Sequence, residues 1–221
     1  MKCDLHVHTN YSYDSSASPE KMVEAALQKG INCLAVTDHG EIRGALEAIE
    51  YARGKPILII PGIEIKSKEG DILGLNAKEI IPNKLSAKET IKKIKEAGGS
   101  VIIPHPFGWF CNFKGDLEEL VNEIDGIEAL NASIFGPGNK KASGFSQKFN
   151  LPFTCGSDSH FPNFVGKTYI EIPGENLSIE DILEKIKNKK VKICGKEATF
   201  FEKVIDHARR NLAKVKRKIY S

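Results

Sequence analysis

The chain has 221 residues, of which 41% are hydrophobic and 28% charged, and its formal net charge at pH 7 is +3. These values are typical of a single globular domain, and no apolar run approaches the ~20 residues needed to span a bilayer, which excludes a membrane-spanning protein. The five cysteines form no CxxC pair, so they predict free thiols in a cytoplasmic protein rather than a disulfide framework.

Apolar strands alternate with amphipathic helices along the chain. We predict strands at 2–8, 31–37, 56–65 (a pair kinked at Pro61-Gly62), 71–75, 101–104, 126–131, 152–156, 166–172 and 191–194. Predicted helices lie at 19–30, 42–53, 86–97, 116–123, 178–188 and 199–219, with a helical or irregular piece at 138–149. This alternation is typical of βα units with parallel strands and right-handed crossovers, and about seven such units suit a closed barrel or a doubly wound open sheet.

The predicted C-terminal helix is basic. Residues 196–221 contain eight Lys or Arg and three Asp or Glu, which leaves 24 basic and 26 acidic residues in the rest of the chain. Its apolar residues have helical spacing, which predicts one stripe buried against the body of the protein: Phe201, Val204, Ile205, Ala208, Leu212 and Val215. The basic residues would then form a solvated face, or would meet a phosphate backbone or an acidic partner.

Side chains with metal-binding chemistry collect at the ends of the predicted strands. His6 and His8 point to the same face of the first strand, about 6–7 Å apart, because successive strand residues alternate between faces. Five of the six histidines and three carboxylates lie at or near strand ends: His6, His8, Asp38, His39, Glu64, His105, Asp158 and His160. The carboxyl ends of parallel barrel strands converge on one face, so these ligands predict a polynuclear site for Zn²⁺, Mn²⁺ or Fe²⁺. His207, in the C-terminal helix, is expected to be structural or solvated.

Five motifs follow one another over residues 6–160: HVHTNYSYD, VTDHGEIRG, PGIEI, IPHP and GSDSH. In this order they resemble the PHP (polymerase and histidinol phosphatase) family of metal-dependent phosphoesterases. The resemblance implies an α/β fold, a distorted (β/α)7 TIM-like barrel formed as a single domain by residues 1–195. The metal site would lie at the C-terminal ends of its strands, and residues 196–221 would form a basic helix packed on the barrel.

The resemblance also implies the ligands of two or three divalent ions. The first ion would be held by His6, His8, Glu64 and Asp158. Glu64 would bridge to a second ion that His105 also binds. The third ion would be held by Asp14, His39 and His160.

One departure from the family pattern concerns the second ion. Many members have a histidine in the strand after the bridging glutamate, where this chain reads GDILGL with Asp71. Either Asp71 or a water would complete the ligands of that ion. Asp38 is expected to orient a neighbouring histidine, and Asp38, Arg43 and Asp158 are the residues we expect to act in catalysis.

The expected reaction is hydrolysis of a phosphate monoester by a metal-bound hydroxide. The chain lacks the GxSxG, GxxxxGK[ST] and GxGxxG motifs, which excludes triad hydrolases, P-loop proteins and dinucleotide-binding proteins of those types. Arg43 and Lys167 would contact the phosphate, and Asn131 and Trp109 would contact the rest of the substrate. The aromatic segment 107–113, which holds Trp109, would either stack on a base or line a loop folded over the barrel.

Three functions remain open from the sequence. The first is hydrolysis of a small phosphomonoester, and the second is that of a 5′-3′ exonuclease or 3′,5′-bisnucleotide phosphatase, in which the basic helix would contact nucleic acid. The third is a non-catalytic barrel that binds protein or RNA, and the retained ligands argue against it. Hydrolysis of a C–N bond is a minor alternative. We expect a small phosphorylated substrate and no membrane partner, and the oligomeric state is open.

Overall fold

A computed structural model describes the backbone of residues 1–220 and the side chains of residues 1–219, and over this range the chain forms nine strands and six α-helices. The strands are β1 (Lys2–Val7), β2 (Cys33–Val36), β3 (Leu58–Lys66), β4 (Asp71–Leu75), β5 (Ser100–Ile103), β6 (Gly126–Asn131), β7 (Phe153–Gly156), β8 (Thr168–Glu171) and β9 (Lys192–Gly195). The helices are α1 (Pro19–Gln28), α2 (Arg43–Tyr51), α3 (Ala87–Glu96), α4 (Gly138–Lys148), α5 (Ile179–Lys187) and α6 (Phe200–Tyr220). The predicted α/β alternation is confirmed.

The sheet is a nearly closed barrel. Its strands follow the order β7-β6-β5-β4-β3-β2-β1-β8-β9. The end of β1 also reaches β7, because Val7 forms a parallel bridge with Ser159 and the His8 N–H donates to the Ser159 carbonyl at 2.8 Å. Seven strands therefore surround the barrel, as the family resemblance implies, while β8 pairs with the first residues of β1 and leads outward to β9.

Not all neighbouring strands are parallel, and here the prediction from the alternation is wrong. The β1–β2, β2–β3, β5–β6 and β6–β7 pairs are parallel, but β4 is antiparallel to both β3 and β5. The chain turns between β3 and β4 within four residues, where the Ser67 N–H and hydroxyl both donate to the Gly70 carbonyl. So short a connection can form a hairpin but not a parallel crossover.

Two predicted elements have a different local shape. Strand β3 runs unbroken through Pro61 and Gly62 rather than as a kinked pair. A Cβ on Gly62 would lie 2.8 Å from Thr37 Cγ2, so the glycine lets the strand pass close to the end of β2 without a bend. The helix predicted at 116–123 is reduced to one 3-10 turn, Glu118–Leu120.

Helices cover the outside of the barrel through apolar contacts. Helices α1 and α2 pack against β1–β3 through a cluster that includes Met22, Ala48 and Val36. Helix α3 packs against β3–β6 through Ile91 and Ile94. Fully burying such a side chain contributes roughly 1.5–3 kcal/mol relative to leaving it exposed, so these faces hold the barrel together and fix the ends of its strands.

Helix α6 turns towards the barrel the face opposite to the one predicted. Its expected buried stripe faces away from the barrel, with Phe201 76%, Ile205 53% and Leu212 55% exposed, while Lys203 and Asp206 are only 7% and 3% exposed. The prediction of a buried apolar stripe is therefore wrong, because the charged face finds charged partners on the barrel. In residues 1–220, no helix is both long and apolar enough to cross a membrane.

Candidate metal centre

Strand β1 sets the first two candidate ligands side by side. His6 and His8 are fully buried at the carboxyl end of the strand, and their Nε2 atoms lie 3.0 Å apart. Two further candidates, His105 and Asp158, follow β5 and β7 and have φ values of +30° and +50°. A residue other than glycine in this region costs about 1–3 kcal/mol, and such strain is common where a side chain must be aimed into a functional site.

The four predicted ligands of the first ion converge on one point. The Nε2 atoms of His6 and His8 lie 3.4 and 3.2 Å from Glu64 Oε2. The same two nitrogens lie 3.8 and 3.5 Å from Asp158 Oδ1. Ligand atoms about 2.0–2.2 Å from a tetrahedral zinc lie roughly 3.3–3.6 Å from each other, so the spacing of this set fits a bound divalent ion.

Glu64 also reaches towards a second position. Its Oε1 lies 3.2 Å from His105 Nε2, and the ligand atoms of His6, Glu64 and His105 form one of three potential metal-binding groups among the described residues. Asp71 lines the same cleft at the start of β4, but it joins none of these groups. Burial and the neighbouring Glu64 carboxylate raise its pKa, and they outweigh His105, His39 and Lys66, which lower it. Ligation by Asp71 stays a prediction.

The predicted ligands of the third ion also lie together. Asp14 Oδ1 is 3.4 Å from His39 Nε2 and 3.3 Å from His160 Nε2. Five buried side-chain atoms of the described residues have no hydrogen-bond partner. Two of them, Thr168 Oγ1 and Asp206 Oδ1, lie outside the candidate ligands, and the other three are Asp14 Oδ1, Glu64 Oε2 and His160 Nε2. Buried polar atoms are rarely left unpaired in native proteins. All three are candidate ligand atoms, so metal ions at these positions would satisfy them.

The cluster has strongly perturbed pKa values. Burial opposes ionisation of Glu64, but His39 and His6 outweigh it and hold its pKa well below the usual range. Burial also opposes protonation of His39, yet the Glu64 and Asp14 carboxylates raise its pKa to about 10. By contrast, burial and the Arg210 guanidinium lower the pKa of His160 to about 3, which keeps it neutral, as a metal ligand must be.

Glu128 is a functional candidate that the sequence did not reveal. It lies inside β6 and is buried, and its Oε1 is 3.3 Å from His6 Nδ1. Its Oε2 accepts hydrogen bonds from the His105 N–H at 2.9 Å and from Asn131 Nδ2 at 2.8 Å. A carboxylate on Nδ1 orients the ring and leaves Nε2 free for a metal. The available signal was a glutamate within the apolar run GIEALN, as unusual as Glu64 within GIEI.

Asp38 also acts behind the ligands, through a serine. Its carboxylate accepts hydrogen bonds from the Thr9 N–H at 2.6 Å and from the Ser12 hydroxyl at 2.7 Å. The Ser12 oxygen in turn lies 3.0 Å from His8 Nδ1 and accepts from the His39 N–H at 3.1 Å. Asp38 therefore positions the histidines without touching either imidazole, and it lies away from the cleft.

The predicted substrate contacts lie outside the cleft between the metal ligands and α6, which we call the metal cleft. Arg43 is exposed and pairs with Glu41. Lys167 donates to Glu202 at 2.7 Å. Asn131 is buried behind the ligands, and Trp109 is 65% exposed beside Gly136. Their assignments to substrate stay predictions that the positions of these side chains do not support.

Helix α6 supplies cations to the metal cleft, and Lys66, Lys68 and Lys114 line it as well. This cavity of about 310 Å³ is lined on the α6 side by Lys203, Asp206, His207, Arg210 and Lys214. Arg210 donates to the Asp158 carbonyl at 2.8 Å, and its Nη1 lies 3.5 Å from Asp158 Oδ1. Lys214 Nζ lies 3.7 Å from Asp14 Oδ2. His207 is exposed, as expected, but it lies beside Phe110 at the edge of this cavity.

Comparison with known proteins identifies the sequence family. The family model for the PHP domain matches residues 4–193 of this chain. The chain is 41% identical over 143 residues to "Uncharacterized protein MJ1587" of Methanocaldococcus jannaschii, which covers 60% of this chain and 82% of that protein. It is 30% identical over 192 residues to "Uncharacterized protein MJ0417" of the same organism, and the match covers 83% of this chain and 75% of that protein. A 5′-3′ exoribonuclease of Haemophilus influenzae is 36% identical over 99 residues, with 43% and 36% covered.

Solved structures share the fold at lower sequence identity. A two-domain protein from Bacteroides vulgatus, described as containing a predicted PHP-like metal-dependent phosphoesterase, superposes with a TM-score of 0.76 at 21% identity, over 89% of this chain and 65% of that one. The lesion-specific endonuclease PfuEndoQ from Pyrococcus furiosus superposes with a TM-score of 0.67 at 19% identity, over 87% and 57%. These matches support the barrel predicted from the sequence motifs.

Proposed function

The chain belongs to the PHP family of metal-dependent phosphoesterases, and from this membership we propose that it hydrolyses phosphate monoesters with the help of two or three divalent metal ions. The observation that carries the proposal is the set of unpartnered buried ligand atoms on Asp14, Glu64 and His160. Glu64 belongs to two of the three neighbouring ligand sets, and Asp14 and His160 belong to the third. A protein that used these residues only for folding would leave three polar atoms buried without compensation, at about 1–3 kcal/mol each.

The distances support the ligand assignment that the family resemblance implies. His6, His8, Glu64 and Asp158 would hold one ion, Glu64 and His105 a second, and a third set consists of Asp14, His39 and His160. Bound divalent ions supply two things to phosphate ester hydrolysis, activation of water near neutral pH and neutralisation of charge on the phosphoryl oxygens. The donor set of imidazoles and carboxylates suits Zn²⁺, Mn²⁺ or Fe²⁺.

The protein's own cations would bind the phosphate. Arg210 is held by Asp206, whose carboxylate accepts from its Nε at 2.6 Å, and this contact aims the guanidinium at the ligand Asp158. Lys214 lies beside the ligand Asp14 on the same helix. A phosphate between the ligands and α6 would thus meet the metal ions on one side and the cations of α6 on the other. Because these charges are already in place, they would stabilise the negative charge that develops in the reaction without having to reorganise.

The shape of the site favours a small substrate. The cavity is bounded on one side by the ligands and on the other by the charged face of α6, so a phosphate group at the end of a molecule can enter. A second candidate is cleavage of nucleic acid, favoured by Phe110 and Phe135, which line the edge of the cavity and could stack on a base. The exoribonuclease and endonuclease relatives are consistent with that alternative.

All five cysteines are free thiols, which supports a reducing compartment such as the cytoplasm.

The test is phosphate release from a panel of substrates in Mn²⁺, namely sugar phosphates, histidinol phosphate, mononucleotides, 3′,5′-bisphosphates and short RNAs. Asp158→Ala serves as the inactive variant, and Arg53→Ala, which removes only a surface pair with Glu50, serves as the matched control. We expect release from a class of small monoesters that the control retains and Asp158→Ala loses. Release from bisphosphates or RNA alone would replace the proposal with the nuclease, and no release by metal-loaded protein would refute both.

A further inference from the structure

The outer face of α6 is an apolar surface without a covering element among the described residues. Phe201, Ile205, Leu212, Val215 and Ile219 are each more than half exposed. With Val204 and Ala208 between them, they expose on the order of 700 Å², above the roughly 300–600 Å² of the largest apolar patch on a typical monomer. A patch of this size on one helix indicates an interaction surface.

The spacing of this face is that of a coiled-coil helix. Its residues lie alternately four and three positions apart, at Phe201, Ile205, Ala208, Leu212, Val215 and Ile219. This is an a/d heptad pattern, in which Ile205, Leu212 and Ile219 hold a positions and the other three hold d positions. A heptad row selects another helix as its partner, because only a parallel or antiparallel helix can interdigitate along its whole length.

The opposite face of the helix is tied to the barrel. Lys203, Arg210 and Arg217 hold the f positions, diametrically opposite the apolar row. Arg210 bonds to the Asp158 carbonyl, and Arg217 Nη1 bonds to the Ser12 carbonyl at 2.9 Å. The apolar row is therefore held pointing directly away from the body of the protein, where a second helix can approach.

We propose that this face pairs with the same face of a second copy of the chain, with the two α6 helices antiparallel. The two-fold axis crosses the outer face of α6 at the level of position 210 along the helix. In that register Phe201 packs against Ile219 of the second copy, Ile205 against Val215, and the small Ala208 against the large Leu212. Every apolar layer then has a complementary partner. The total buried area of roughly 1,400 Å² falls within the ~1,200–2,000 Å² of stable interfaces.

The charges beside the row favour the antiparallel arrangement over the parallel one. Antiparallel pairing sets Glu202 opposite Lys216 of the second copy, twice by symmetry, and Asn211 opposite its own equivalent. Within its own chain Glu202 also accepts from Lys167 and from the Thr199 N–H, so Lys216 would add a further cation to this carboxylate. Parallel pairing would set Lys216 opposite Asn211 rather than opposite Glu202, and would leave Ala208 opposite Ala208, with a gap between them. The like-charged contact in the antiparallel dimer is Arg209 with its equivalent, and each Arg209 guanidinium already lies over its own Phe161 ring, 5.7 Å from the centroid.

The dimer would also hold one wall of the metal cleft in place. Arg210 and Lys214 lie on the inner face of α6, while the proposed interface is its outer face. Pairing therefore leaves the cleft open and restrains the helix that carries its cations. The proposal does not depend on which phosphate ester is hydrolysed.

The experiment is sedimentation velocity of the full chain between about 1 and 100 µM. We expect twice the 24.4 kDa mass of the monomer. Ile205→Asp and Leu212→Asp should each give a monomer with unchanged circular dichroism, because both side chains are exposed and make no contact that the fold of the monomer needs. Leu46→Asp, at an equally exposed leucine on α2, should remain a dimer as the matched control.

A charge variant tests the direction of the helices. Lys216→Glu sets a glutamate against Glu202 in the antiparallel dimer and should raise the dissociation constant about tenfold or more, whereas in a parallel dimer it faces Asn211 and changes little. Lys218→Glu, which faces Val204 in the antiparallel register, is its control. A wild-type monomer at 100 µM, a dimer that survives Ile205→Asp, or a monomer that binds phosphatidylserine vesicles through this face would each overturn the proposal.

Discussion

Glu128 provides a sharp test of the metal centre, because it touches no metal and yet should control metal affinity. In Glu128→Gln the amide oxygen can keep the bonds from the His105 N–H and Asn131 Nδ2. The amide NH₂ then faces His6 Nδ1, where the carboxylate stood at 3.3 Å. That contact favours the His6 tautomer with its proton on Nε2, the nitrogen that must bind the metal.

The expected loss is 10–100-fold in metal affinity, which corresponds to about 1.4–2.7 kcal/mol. The same substitution removes the charge of a buried acceptor, so metal-free protein should lose about 1.5–3 kcal/mol in free energy of unfolding. The two losses are measured separately. Titration calorimetry with Mn²⁺ gives the affinity, and urea unfolding in the presence of a chelator gives the stability.

Glu119→Gln is the matched control, because Glu119 is exposed and pairs only with Lys88 on the surface. We expect wild-type values from it in both measurements. If Glu128→Gln lost stability but bound Mn²⁺ with wild-type affinity, Glu128 would serve only to join β5 to β6, and the role assigned to it behind His6 would be wrong.

Three further predictions concern the same cleft. The Glu64 and Asp14 carboxylates outweigh burial and raise the pKa of His39 to about 10. In metal-free protein, protonated His39 therefore stabilises the fold fully below about pH 6.5, and this stabilisation is lost as the pH rises through 10. Metal must displace that proton, so Mn²⁺ affinity should rise from pH 6 to pH 9 with proton release in calorimetry; a flat profile would refute this. Arg210→Gln should lower kcat/KM by about 100-fold or more while Arg209→Gln does not, since only Arg210 faces Asp158, and equal losses in both variants would contradict the assignment. Removing the metal with a chelator should lower Tm, because ions present at about 1,000 times their Kd contribute about 4 kcal/mol; an unchanged Tm would argue against tight binding.

Much of the site could be predicted from the sequence, because strand ends in a barrel are places of known geometry. His6 and His8 share a face through the two-residue period of β1, and their Nε2 atoms do meet. His39, His105 and His160 follow three other strands, and the structure brings all of them to the same face. The two predicted substrate cations lie outside the cleft, where Arg43 at the start of α2 and Lys167 before β8 each pair with a nearby carboxylate.

The elements themselves depend on interactions within a few residues. Ser86 and Glu89 form the capping box that opens α3, and both partners are visible in four consecutive residues. The start of α5 follows in the same way from Ser178 and Asp181. The apolar pattern did not show the direction in which β4 pairs, because both faces of a buried strand are apolar whether its neighbours are parallel or antiparallel. The signal that the sequence did carry was the short connection between the predicted strands 56–65 and 71–75, which allows only a hairpin.

The sequence by itself determined the amphipathic character of α6, the succession of strands along the chain and which candidate ligands lie at the strand ends. Only the tertiary structure decided that α6 places its charged face on the barrel. An amphipathic helix has two possible inner faces, and periodicity assumes that the apolar one is buried. Here Asp158 and the carbonyl of Ser12 receive Arg210 and Arg217, and these contacts join residues about 50 and 200 positions apart. No pattern within one helix can specify partners so distant, and for the same reason Glu128 could be linked to His6 only once β6 and β1 had been brought together.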